Sequence, residues 1–195
     1  MNENIKILYI DDNFQLQLTS YLENIFSDNF SQFNFTPETT IVELLNNPDV
    51  LNATVIILDS RLFQNSNVDS DKFSGEEVKI IFKKFLPFIE ILIISQNEDV
   101  LDDQFIKKFK TSKQNKDYKR YYDDKLLPKI ELAIKKVNMY KKIAAKMEES
   151  GRFDEALITK LKNSMDGLII YDELNKSDID NLIKAFKDLE SKYDD

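Results

Sequence analysis

Three short apolar runs, each breaking off at an acidic or hydroxyl-bearing residue, constrain this chain more than any other feature. Ile5 to Ile10 runs into Asp11-Asp12, Thr54 to Leu58 into Asp59, and Ile91 to Ile94 into Ser95-Gln96-Asn97. Runs this short and this continuously apolar read as strands buried on both faces. Helical spacing fills the gaps between them. Phe14, Leu18, Tyr21, Leu22 and Ile25 mark one amphipathic helix, and Gly75 opens another carrying Val78, Ile81, Phe82 and Phe85. Weaker signals complete the series. Phe33 and Phe35 alternate with polar residues as a second strand, and Thr39 to Leu45 is a short helix stopped near Asn46-Asn47-Pro48. Gln64 to Lys72 is a polar loop, and a helix is predicted from about Asp99 to Phe109. Tyr118 to Tyr122 is predicted as a fifth strand, entered through a lysine-rich link. Strands alternating with helices in this way imply an α/β fold, a doubly wound parallel sheet with helices on both faces. Ligands of such sheets sit beyond the carboxyl ends of the strands, where Asp11, Asp12, Asp59 and Ser95 fall.

From Leu127 the pattern changes. Leu127, Ile130, Ile134, Val137, Tyr140, Ala144 and Met147 recur every three or four residues up to Gly151, a natural helix stop. A second helix carries Ala156, Leu157, Leu161, Met165 and Leu168, and a third starts at Ser177 with Asp180 three residues on. The expected organisation is a sheet domain over residues 1–137 and a small all-α module over 138–195. The helix from Leu127 could also pair with its twin in a homodimer.

Two absences narrow the chemistry. The 195 residues include no cysteine and no histidine. That removes disulfides, thiol nucleophiles, Ser-His-Asp triads and histidine-ligated metals, and leaves oxygen ligands suited to Mg²⁺, Ca²⁺ or Mn²⁺. The 35 acidic residues outnumber the 27 basic ones for a formal charge of −8, so the chain as a whole repels phosphate backbones. Lys107 to Lys125 gathers eight basic residues against three acidic ones, which reads as a solvated helix and loop because no DNA-reading helix accompanies it. The tail from Asn138 on is acidic, with ten Lys/Arg against thirteen Asp/Glu, so no DNA partner is expected. The start Met-Asn-Glu-Asn-Ile-Lys lacks a signal-peptide pattern, and no apolar run approaches the ~20 residues that span a bilayer. A soluble, cytoplasmic protein without membrane contact is expected.

Three carboxylates converging at one end of a sheet cannot all stay ionised without a compensating cation. Mg²⁺ fits, since it takes one or two carboxylates and completes its octahedron with water and phosphate oxygens. Asp59 could then act as a nucleophile towards a phosphoryl group, with Ser95 donating a hydrogen bond to a phosphoryl oxygen.

With these residues in place, the sequence resembles the receiver domain of two-component response regulators. The likeness is carried by Ile7-Leu8-Tyr9-Ile10-Asp11-Asp12-Asn13, Val55-Ile56-Ile57-Leu58-Asp59-Ser60-Arg61-Leu62, Gly75-Glu76-Glu77-Val78, and Ile91-Leu92-Ile93-Ile94 running into Ser95. It covers roughly residues 3–137. The resemblance implies a flavodoxin-like five-stranded parallel sheet, Mg²⁺ held by Asp11 or Asp12 with Asp59, and phosphorylation of Asp59 by a separate sensor histidine kinase. It further implies a switch in which Ser95 follows the phosphoryl group and an aromatic on the fifth strand moves. The output would be protein–protein contact with a target the sequence does not identify. On this reading the chain is a signalling protein and not itself an enzyme.

The sequence also departs from the family. The link from Phe63 to Ser74 is longer than usual, and Gln96 stands where a small residue is customary. The family places a lysine after the fifth strand, three residues beyond an aromatic. Tyr122-Asp123-Asp124-Lys125 offers Lys125, while an alternative alignment puts Asp123 there and loses the lysine. With Asp123 there and Gln96 filling the pocket, a pseudo-receiver adaptor that binds partners without phosphorylation becomes the better reading. A Mg²⁺-dependent phosphatase is disfavoured, because its customary acid two residues after the nucleophile is replaced by Arg61.

Overall fold

The structure is a computed structural model that describes residues 5–62, 74–96, 105–111 and 117–167. Five strands form one sheet: β1 (Ile7–Asp11), β2 (Phe30–Asn34), β3 (Val55–Asp59), β4 (Glu90–Ser95) and β5 (Phe105–Lys107). All are parallel, in the order β2-β1-β3-β4-β5. This is the flavodoxin-like order. Winding reverses at β1, so the crevice between the ends of β1 and β3 is the topological switch point. Ile10 pairs with Leu58, which brings the residues that follow, Asp11 and Asp59, to that crevice.

Residue parity divides the core into two layers, because successive side chains on a strand face opposite ways. Leu8, Ile10, Ile56, Leu58, Ile91 and Ile93 pack with α2 (Ile41–Asn46), α3 (Pro48–Leu51) and α4 (Gly75–Phe85). Ile7, Tyr9, Val55, Ile57, Leu92 and Ile94 pack with α1 (Leu16–Phe26), α5 (Tyr118–Lys125) and the start of α6 (Leu127–Ser150). Asp11 and Asp59 share the parity of Tyr9 and Ile57, so they continue that second layer at its polar end.

Two elements differ from the expectation. Tyr118 to Tyr122 is the first part of helix α5, not a strand. Asp117 caps it, its carboxylate accepting the N–H of Arg120 at 3.1 Å, and Tyr118, Tyr121, Tyr122 and Leu126 line one helical face against the sheet. The fifth strand is instead Phe105–Lys107, within the stretch expected as a helix from Asp99 to Phe109. The predicted loop over 64–72, residues 99–104 of the predicted helix and the helix from Ser177 fall outside the described residues.

The long helix from Leu127 is present as α6, with Pro128 in its first turn and Gly151 ending it in the left-handed conformation at φ 60°. Residue 137, the expected boundary, lies inside α6. α7 (Glu155–Met165), capped by Asp154, packs back on α6. Among the described residues, no helix is long and apolar enough to cross a membrane.

Candidate functional site

The ends of β1, β3 and β5 build a charged cluster. Lys108, the first residue after β5, is fixed by its backbone N–H, which donates to the Ser95 carbonyl at 2.6 Å. Its ammonium reaches both Asp11 Oδ2 and Asp59 Oδ1 at 2.8 Å. All three side chains are buried, with exposures of 5%, 1% and 8% for Lys108, Asp11 and Asp59. Asp12 is half-buried beside them, and one oxygen from each of Asp11, Asp12 and Asp59 lies within 4.8 Å of the others. Three carboxylates and one ammonium leave two formal negative charges, which is what a divalent cation would neutralise. The cluster could hold a metal ion.

Hydrogen bonds orient the carboxylates. Asp11 Oδ2 also accepts the Tyr9 hydroxyl, and Asp11 Oδ1 accepts the Asn13 N–H at 3.0 Å. Asp59 Oδ2 accepts the Arg61 N–H at 3.3 Å. Burial, then repulsion from Asp11, raises the Asp59 carboxyl to about 6, against the opposing pull of Lys108. Burial would lower the Lys108 ammonium, but the Asp11 and Asp59 carboxylates outweigh it and raise its pKa. Burial and the same two carboxylates push the Tyr9 phenol up, so it stays a donor.

Gly75 sets the approach of α4 to this site. A Cβ there would lie 2.1 Å from the Asp59 carbonyl oxygen, so no side chain fits without moving the backbone that carries Asp59. Its N–H donates to the Ser60 carbonyl at 3.0 Å. The Ser74–Glu77 capping box starts the helix: the Glu77 N–H donates to Ser74 Oγ at 3.1 Å, and the Ser74 N–H donates to Glu77 Oε2 at 2.6 Å.

The structure thus brings together Asp11, Asp12 and Asp59. Ser95 is buried at the end of β4, one residue beyond Ile94, the register partner of Asp59. Lys125 does not join them. It is exposed in the last turn of α5, and Asp123 accepts a hydrogen bond from the Tyr21 hydroxyl at 2.8 Å. The lysine beside Asp59 is Lys108, which the sequence reading missed. Phe105 stands three residues before it, so the aromatic-to-lysine spacing sought at Tyr122 and Lys125 was present here. Gln96 is exposed. No family model, curated protein or solved structure matches the chain.

Proposed function

We propose that this chain is a receiver-like signalling protein in which Asp59 accepts a phosphoryl group from a sensor histidine kinase. The observation carrying this reading is Lys108 bridging Asp59 and Asp11 at 2.8 Å beside a third carboxylate. It gives a carboxylate nucleophile both a fixed ammonium and a cation-ready neighbour. In the transfer, an Asp59 oxygen attacks phosphorus as the phosphorus–nitrogen bond of the kinase's phosphohistidine breaks. The result is an acyl phosphate on Asp59 and an electron pair returned to the imidazole, which takes up a proton. Asp11, Asp12 and Asp59 would hold Mg²⁺, which supplies charge neutralisation for the incoming phosphoryl oxygens. The Lys108 ammonium and the Ser95 hydroxyl are the chain's own donors to those oxygens.

The pseudo-receiver alternative loses the features that would favour it. A lysine does follow the fifth strand, Asp123 is engaged by Tyr21 away from the cluster, and Gln96 faces solvent. The test is treatment with acetyl phosphate or beryllofluoride in the presence of Mg²⁺. Wild type should gain the phosphoryl mass or shift its spectrum. Asp59→Asn should not respond, and the rate should fall as pH drops through about 6. An unresponsive wild type, or an equal response in Asp59→Asn, refutes the proposal.

A homodimer along α6 belongs to the same proposal. Leu132, Met139 and Ile143 stand exposed on one face of that helix. Sedimentation should show a dimer that Met139→Asp dissociates, and a strictly monomeric wild type rules this pairing out.

A further inference from the structure

We propose that the Tyr9 hydroxyl sets the cation selectivity of the acidic cluster, by occupying Oδ2 of Asp11 and leaving Oδ1 as the oxygen Asp11 can give to an ion. This rests on the cation site proposed above and assigns a positioning role to a residue outside the carboxylate set. A carboxylate has about four acceptor positions, two on each oxygen. On Asp11 Oδ2 both are used, one by the Tyr9 hydroxyl and one by the Lys108 ammonium. On Oδ1 one is used, by the Asn13 N–H. One acceptor position remains, so Asp11 can ligate through a single oxygen only.

Water cannot readily replace the phenol there. Tyr9 is fully buried and Asp11 is 1% exposed. The Tyr9 ring is seated edge-on against Phe14, with centroids 5.3 Å apart, so the hydroxyl is held at the carboxylate by packing as well as by its own bond.

Single-oxygen ligation favours a small ion. Mg²⁺ takes six ligands, keeps several waters and needs few protein oxygens, whereas Ca²⁺ takes six to eight and often grips a carboxylate by both oxygens. Removing the hydroxyl frees an acceptor position on Oδ2 and opens the two-oxygen mode that Ca²⁺ can use. It also removes a partner that orients a ligand, a loss that commonly costs about tenfold or more in metal affinity.

The experiment is calorimetric titration of the full chain with Mg²⁺ and, separately, with Ca²⁺, for wild type, Tyr9→Phe and Tyr9→Leu. Tyr9→Phe keeps the ring, and Tyr9→Leu provides a second, smaller apolar replacement should the first fail to fold. The expected result is a Mg²⁺ affinity about tenfold weaker in either variant, with Ca²⁺ affinity held or increased, so that the preference moves towards Ca²⁺. If both ions weaken by the same factor, or neither changes, the role of Tyr9 is overturned while the cation site stands. A wild type that binds neither ion overturns both.

Discussion

Lys108→Met is expected to destabilise the fold by ~3–5 kcal/mol at neutral pH, the usual cost of removing one partner from a buried ion pair. For a chain of this length that lowers the melting temperature by roughly 6–20 °C. The reason is geometric. The ammonium is shared between Asp11 and Asp59 at 2.8 Å each, and both carboxylates are buried, so the variant leaves two charges facing each other with little solvent. Methionine fills much of the lysine stem's volume, so the loss reports charge and not a cavity. Two conditions should restore stability: a pH low enough to protonate Asp59, and saturating divalent cation. Thermal melts at pH 5 and pH 7.5, with and without Mg²⁺, check this. A variant as stable as wild type at pH 7.5 would show that the bridge contributes nothing.

Asp59→Asn is expected to do the opposite. The Asp59 carboxyl titrates at about 6 in the fold, against 3.8 ordinarily. For an acid whose pKa is raised on folding, the native state holds its proton more tightly. Wild-type stability therefore falls as pH rises from about 4 to 6 and levels off above that window. The full penalty for ionising this residue is ~3 kcal/mol. That figure is already net of the attraction of Lys108, so the uncharged amide is expected to be more stable than wild type by up to ~3 kcal/mol at pH 7.5. Urea denaturation of both proteins across pH 4 to 7.5 should show the gap opening through the window and staying constant beyond it. A gap that is constant with pH, or of opposite sign, excludes a raised Asp59 pKa. The site thus holds an electrostatic strain that a neutralising substitution relieves and that a bound cation would relieve.

The strands that carry Asp11, Asp59 and Ser95 were legible because β1, β3 and β4 are buried along their whole length, so their apolar runs are uninterrupted. The cluster of three aspartates followed from that placement alone. β5 was not legible. It has three residues of which only Ile106 is fully buried, and it leads into the lysine-rich stretch, so neither continuous apolarity nor clean alternation marks it. Tyr118 to Tyr122 imitated a strand through its aromatics, yet Asp117 caps a helix there, and Tyr118, Tyr121, Tyr122 and Leu126 are spaced to face the sheet from one helical side. With a fifth strand at Tyr118 to Tyr122 the lysine after it is Lys125; with β5 at Phe105–Lys107 it is Lys108. Phe105 followed by Lys108 was the available clue, and it lay inside a segment read as helix.

Beyond Lys108, the chain leaving β5 runs against Gln15 and the tyrosines of α5. Among the described residues β5 is the last strand on its side of the sheet, the position where another chain can add a strand. Here the Lys107 carbonyl accepts the Tyr121 hydroxyl at 3.0 Å, the Phe109 N–H donates to the Tyr122 hydroxyl at 3.1 Å, and the Phe109 carbonyl accepts from Gln15 at 2.7 Å. Side chains thereby occupy the Lys107 carbonyl and the backbone of Phe109 just past the strand, groups that an added chain would otherwise have to pair with there.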